Sequence, residues 1–282
     1  MSNANITVRE YAPGVAERNM SQYLRRRYMR ETTLGIAVPI FLLVLWQVSA
    51  DLGWLDRRNY PPPFELVAQG WKLINEGTLG HDIMITLQRV LIGFAIGTTS
   101  GVVLGFAMAT SRNVRAAFEP TLNAFYVVPK LALLPVFLTI FGFGEAPKIV
   151  LVAVTVFFFV WIDTMESVSS IPDGYREAAE VFGCSPWQMF THVLLPAFLP
   201  RLFIALRIAI GVAVLVIIAA EFVVSRDGLG YLIFNSRQLF INGWMYVGIV
   251  CVAVMGVTLA AIVGRIGLLL TPWEARARRS QL

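Results

Sequence analysis

The stretch EAAEVFGCSPWQMFTHVLLP, Glu177–Pro196, lies between two long apolar segments and carries more punctuation than a plain loop needs. Asp173, just before it, suits the cap of a helix running through Glu177, Ala178 and Ala179. Alanine is a strong helix former, and its small side chain permits close approach by another surface. Gly183 then stands where a chain leaving a helix turns left-handed, a conformation that glycine takes cheaply. Ser185 caps a second helix, with Pro186 in its first turn and Gln188 completing a capping box. That helix sets Trp187, Phe190, Val193 and Leu194 on one side, and Leu195-Pro196 is expected to close it. Two short helices with a small, partly apolar face are too little for a domain. They read as a docking knob for a partner; the alternative is a re-entrant or interfacial loop.

The flanking segments say what carries the knob. Of 282 residues, 57% are hydrophobic and only 15% charged, against about 25% charged in soluble domains. Mean hydropathy is +0.67. With a span length of about 20 apolar residues, six spans are expected: Leu34–Ala50, Ile83–Ala109, Leu122–Phe141, Ala146–Ile162, Leu202–Val224 and Met245–Leu270. The fold class is therefore an all-α polytopic membrane protein. The start is polar and arginine-rich, unlike a cleavable leader, and the first span is expected to serve as its own insertion signal.

Lysine and arginine placement orients the spans. With the N-terminus inside, the inner segments hold twelve basic residues and the outer ones six, which puts both termini and Glu177–Pro196 in the cytoplasm. The net charge of +5 is modest and concentrated near the termini, which suits membrane orientation and not nucleic-acid binding. In the outer segment after Pro61-Pro62-Pro63, Phe64, Val67, Trp71 and Ile74 recur at helical spacing. They predict an amphipathic helix, lying at the lipid interface or packed on the protein's own outer ends.

Within the spans, Gly93, Gly97, Gly101 and Gly105 form a face that lets another helix backbone come close. It reads first as intramolecular packing. Together with Gly256, Ala260 and Gly264 it is also available to a second copy of the chain. Lys130 falls between Pro129 and Pro135 in the third span. A lysine at that depth either faces a path, where it would attract an anion, or pairs with carbonyls freed at a helix break. Glu221 near the outer end of the fifth span lines the path, acts as a gate, or holds the SRDGLG turn through a backbone contact. Arg89 and Arg265 fall near span ends and are expected to reach the interface. The lone His81 and His192 and the separated Cys184 and Cys251 make no metal site, and no GxxxxGK[ST] phosphate loop is present.

The spacing Glu177-Ala178-Ala179, three residues, Gly183, nine residues, Val193-Leu194-Leu195-Pro196 resembles the cytoplasmic signature of membrane subunits of ABC importers. Valine for isoleucine is its one departure. VVPKLALLPVFLTIFGFG (Val127–Gly144), AAEFVVSRDGLGYLI (Ala219–Ile233), PPPFELVAQGW and the closing TPWEARARR are similar to the nitrate/sulfonate/taurine branch of these permeases. The resemblance implies a type I ABC importer transmembrane domain at 34–270, between cytoplasmic tails at 1–33 and 271–282, with coupling helices at about 173–196. It assigns ATPase coupling to Glu177, Ala178, Ala179, Gly183, Ser185, Leu195 and Pro196. The implied partners are a cytoplasmic ATPase dimer, an extracytoplasmic substrate-binding protein, a second copy of the permease and membrane lipid, in the bacterial inner membrane. The chain itself would be no enzyme and hold no cofactor, with ATP and magnesium on the partner. The implied cargo is a small anion of the sulfonate kind, moved by alternating access. A stand-alone ion-coupled transporter is the alternative; it would show inverted repeats, broken midplane helices and buried carboxylates for ion coupling, and of these only the Pro129–Pro135 stretch fits, with no internal symmetry and no acidic pair in the bundle.

Overall fold

The computed structural model describes residues 20–273, and all regular structure among them is helical. Residues 1–19 and 274–282 of the expected tails, with their arginines, lie outside the described residues. The chain divides between Glu65 and Leu66 into two compact units.

The first unit is built on helix α1 (Met20–Asp51), which begins well before Leu34, where the first span was expected. Its apolar side chains, such as Phe41, Leu42 and Leu43, are exposed along most of its length. Below its end, Arg57 bridges Asp51 at 2.8 Å, and the Gln47 side chain accepts a hydrogen bond from the Phe64 amide at 3.2 Å.

Helix α2 (Pro63–Asn75) is the expected amphipathic helix. Its stripe of Phe64, Val67, Trp71 and Ile74 is exposed, while Leu66 and Leu73 on the opposite side are buried. The helix therefore packs through the face that the sequence pattern did not single out, and leaves its larger apolar stripe outward.

The second unit holds the remaining helices: α3 (Thr78–Thr110), α4 (Arg112–Val127), α5 (Leu134–Phe141), α6 (Ala146–Ser169), α7 (Asp173–Val181), α8 (Pro186–Val224), α9 (Leu229–Gln238) and α10 (Asn242–Leu270). Five helices among the described residues are long and apolar enough to cross a membrane, or six if the bent pair α4–α5 counts as one span. The third span is thus not the straight helix expected over Leu122–Phe141. Between α4 and α5 the axis turns by 94° around a 3₁₀ turn, Lys130–Leu133. Val128 is extended, as a residue before proline must be, and Pro129 has no amide to continue the helix.

The core pair is α3 against α6. Gly93, Gly97, Gly101 and Gly105 are all buried against α6. A Cβ built at Gly101 would lie 2.9 Å from the Phe157 carbonyl oxygen and 3.0 Å from Val160 Cβ. In an apolar solvent there is no hydrophobic drive between helices, so such van der Waals contact and backbone approach carry the association. Helix α8 lays a face of Ala205, Ala209, Ala213 and Ala220 with Ile210 and Ile217 into the same core, and α9 and α10 pack onto α8.

The knob, the bend and the buried arginine

At the end of the bundle where α6 finishes and α8 starts, α7 and the foot of α8 build the knob. Asp173 is the first helical residue of α7, not its cap; Pro172 takes the cap position, pre-set to the φ that a helix entrance needs. The exit is a Schellman closure around Gly183 at φ +72°. The Cys184 amide donates to Ala179 O at 3.0 Å and the Gly183 amide to Glu180 O at 2.9 Å. The capping box is complete: the Ser185 amide donates to Gln188 Oε1 at 2.8 Å and the Gln188 amide to Ser185 Oγ at 3.3 Å.

Leu195-Pro196 does not close the second helix. The helix runs unbroken from Pro186 to Val224, and Met189–Leu194 are wound as π-helix. The Leu195 amide reaches back five residues to Phe190 O, and this wider turn accommodates Pro196, which has no amide of its own. The foot of α8 is tied to α3 by Phe190 packing edge-on against Phe106, with ring centroids 5.0 Å apart.

Ala179 is buried, and Ala178 and Ala179 line an open groove of about 870 Å³ with Tyr175, His192, Val193 and Pro196. Glu177 and Ser185 are exposed. Around the Gly183 turn the side chains of Val181 (85% exposed), Phe182 (86%) and Trp187 (71%) project outward. The first two were not recognised from the sequence. Their signal was present, because an apolar pair immediately before a helix-ending glycine at the tip of a polar loop has no core of its own to enter.

At the bend, Lys130 Nζ donates to three main-chain carbonyls, Phe125 O at 2.9 Å, Tyr126 O at 2.7 Å and Val128 O at 2.9 Å. It also lies 4.3 Å from the centre of the Phe158 ring. An ammonium group has three donors, and all three are used. Lys130 satisfies the carbonyls that the end of α4 leaves open and pins the turn; it offers no spare donor to an anion.

At the opposite end of the bundle sits a buried ionic knot centred on Arg89 of α3. Arg89 is 1% exposed and does not reach the interface as its position near a span end had suggested. Its Nη1 donates to Glu221 Oε1 at 2.7 Å and to Asp227 O at 3.0 Å. Its Nη2 donates to Glu145 Oε1 at 2.7 Å and to the Asp227 carboxylate, and its Nε to Glu145 Oε2. Lys148 closes the set on Glu145 at 2.8 Å.

Glu221 is sealed off from any open path. Besides Arg89 it accepts from the Thr86 hydroxyl at 3.0 Å and the Gly230 amide at 2.8 Å. The SRDGLG turn is laced to α3 as well: the Gly228 amide donates to Asp82 Oδ1 and the Leu229 amide to Thr86 Oγ1, both at 2.8 Å. Gly228 has φ +99°, and a Cβ there would meet Glu221 Oε1 at 2.6 Å, so only glycine fits.

Arg89, hydrogen-bonded to Glu145, holds that carboxyl at about 2, well below its ordinary range. At Asp227, desolvation works against ionisation, and the hydrogen bond and charge of Arg89 outweigh it, so its pKa also lies low. Sequence reading missed Arg89, Glu145 and Asp227 as one site. Topology held the clue, since the starts of the second and fourth spans and the end of the fifth all fall on one side of the membrane.

The fold is an α-helical bundle of membrane-crossing length that ends in a closed two-helix knob. The chain belongs to the family of binding-protein-dependent transport system inner membrane components, whose family model matches residues 101–275. Among its relatives are aliphatic sulfonate, nitrate and taurine permeases, which sets it in that branch of the family. It is 34% identical over 219 residues to the aliphatic sulfonates transport permease of Escherichia coli, covering 78% of this chain and 83% of that one. It is 31% identical to the nitrate import permease of Synechococcus elongatus (84% and 88% covered) and 32% identical to the riboflavin transport system permease of Chloroflexus aurantiacus (86% and 91% covered). The fold matches the crystal structure of a bacterial ABC transporter involved in import of the polysaccharide alginate. The TM-score is 0.61 at 15% identity, over 90% of this chain and 99% of that one.

Proposed function

We propose that this chain is the permease subunit of an ATP-driven importer, and that the knob couples it to a separate ATPase in the cytoplasm. The observation that carries this reading is an apolar tip, Val181, Phe182 and Trp187, held rigid by two helix caps and mounted on a helix continuous with a membrane span. Exposed apolar side chains on a rigid projection are best accounted for by a partner that covers them. A 39-residue helix leading from that tip to the far end of the bundle transmits a push on the knob without a joint; the π-turn at Met189–Leu194 is where the rod can rewind.

Glu177, Ala178, Ala179, Gly183, Ser185, Leu195 and Pro196 enter this reading in different ways. Glu177 is free to meet a basic residue of the ATPase. Gly183 and Ser185 set the shape of the tip. Ala178, Ala179 and Pro196 line the groove behind it, and Leu195 closes the π-turn. Closure of the ATPase dimer on ATP would move the knob and turn the bundle outward, and hydrolysis would return it. The ATP chemistry belongs to that partner, with its magnesium. Both termini lie in the cytoplasm on this reading, as the basic residues indicate. Substrate arrives on an extracytoplasmic binding protein.

The cargo proposed is a small sulfonate-like anion, in line with the sulfonate and nitrate permeases among the relatives. Lys130 and Glu221 enter as structural groups and not as anion contacts, since their polar atoms are already engaged. A homodimer of permeases completes the assembly. The glycine face of α3 contributes nothing to it, being filled by α6, and Gly256 and Gly264 face Val214 and Arg207 of α8.

The test is co-purification with the cognate ATPase and ATP hydrolysis in lipid, comparing wild type with Gly183→Arg and Phe182→Ser. Both variants should insert and remain monodisperse but lose the ATPase partner or its binding-protein-stimulated turnover. Unchanged assembly and turnover in both would sink the coupling assignment.

A further inference from the structure

Arg207 of α8 and Arg265 of α10 are exposed where Arg89 is buried, and among the described residues neither has a carboxylate partner. Both lie in helices of membrane-crossing length and open into one groove of about 610 Å³ between the two helices. Its lining includes Pro200, Phe203, Gly264 and Thr271 and, among the described residues, no acidic one. Among the described residues neither arginine makes a hydrogen bond or an ion pair. The Thr271 hydroxyl is committed to Gly267 O at 2.8 Å. Gly264 faces Arg207 across the groove: a Cβ there would lie 3.7 Å from Arg207 Cδ and 3.9 Å from Nε, so a longer side chain would project into it.

The two arginines stand at neighbouring levels across the groove, because the Cβ position of Gly264, next to Arg265 in the chain, lies 3.7 Å from Arg207 Cδ. Arg207 is seventeen residues before Val224, about 26 Å along the axis. Arg265 is twenty-three residues after Asn242, about 35 Å. Counted from the outer ends of their helices, both lie in the half of the bundle nearer the knob. Around the groove Ile204, Ile208, Leu268 and Leu269 are exposed. Cationic forks beside exposed apolar side chains, with no acid among the described residues to neutralise them, call for an anion. Guanidinium geometry matches a tetrahedral oxyanion.

We propose that the groove between α8 and α10 binds a singly charged oxyanion, a phosphodiester or sulfonate, between Arg207 and Arg265. The phosphodiester would be the headgroup of an anionic phospholipid whose acyl chains lie on the exposed flank. The sulfonate would be a soluble solute, and that source rests on the cargo reading above.

The experiment uses the full chain in detergent, with native mass spectrometry of bound phosphatidylglycerol against phosphatidylcholine and a parallel titration with ethanesulfonate. Wild type should retain phosphatidylglycerol preferentially, and each arginine-to-glutamine change should weaken it about fivefold, Arg207→Gln/Arg265→Gln combining the two losses. Gly264→Leu, which fills the groove but keeps both charges, should abolish the preference. It also keeps the test valid if the double variant folds poorly. Ethanesulfonate binding that is lost in the same variants would place the ligand in solution and equally support the site. Phosphatidylglycerol and ethanesulfonate binding unchanged in a folded double variant, or in Gly264→Leu, would overturn it.

Discussion

Arg89 shows what a single buried charge does in this chain. It is surrounded on every donor, so removing it strands Glu221, whose side chain is fully covered. Breaking a buried ion pair from one side costs about 3–5 kcal/mol, because the remaining charge keeps its desolvation penalty. Arg89→Gln should therefore lower unfolding stability in detergent by about that much, and adding Glu221→Gln should recover part of the loss. A cost under about 1 kcal/mol for Arg89→Gln would mean the knot is open in solution. Lys130 is the counter-example. It too lies in an apolar stretch, yet its partners are backbone carbonyls two to five residues away, so the chain satisfies it locally.

Among the elements, the α3–α6 pair has the closest backbone approach. Gly101→Ala forces its methyl against the Phe157 carbonyl and Val160. Rigid neighbours on a buried face leave no flexible end to yield, so a loss of about 1–3 kcal/mol is expected. Gly211 of α8 is the matched control. A Cβ there meets nothing within 4 Å, so Gly211→Ala should be neutral or gain about 0.5–1 kcal/mol from helix propensity. Thermal unfolding of the two variants side by side checks this. Equal behaviour would show that α3 and α6 are not held at the distance described.

At the scale of the molecule, the two ends of the bundle are built from opposite materials. The knob end exposes apolar side chains on a rigid support; the other end ties α3, α6, α8 and the Ser225–Gly230 turn together with charge. Glu145, held at about 2 against an ordinary 4.5, contributes stability that is fully present above the ordinary value. That contribution disappears as pH falls toward 2. Asp227 acts in the same direction. The midpoint of thermal unfolding in detergent should be flat above pH about 5 and fall below it. The fall should be shallower in the Arg89→Gln/Glu221→Gln protein. A wild-type midpoint that does not respond to acid would contradict the ionic account of this end.

The spans, the glycine face, the Gly183 turn and the Ser185 capping box were all legible in the chain, for one physical reason. Each is a local pattern: apolar length, small residues every fourth position, a left-handed residue after a helix, or a side chain within three positions of its amide partner. Membrane solvent strengthens such patterns, because every backbone group must be satisfied close to home. What the tertiary structure alone decided lies between distant residues. Arg89 finds Glu145 and Glu221 at separations of 56 and 132 positions. The glycine face of α3 is spent on α6 and not on a second copy. The second helix of the knob continues through Leu195-Pro196, because a π-turn relieves what would otherwise be a break. The third span bends because Pro129 cannot continue the helix and Lys130 caps the carbonyls left open where α4 ends. Which partner fills a face, and which charges share a site, depends on how the helices pack. No local rule along the chain carries that information.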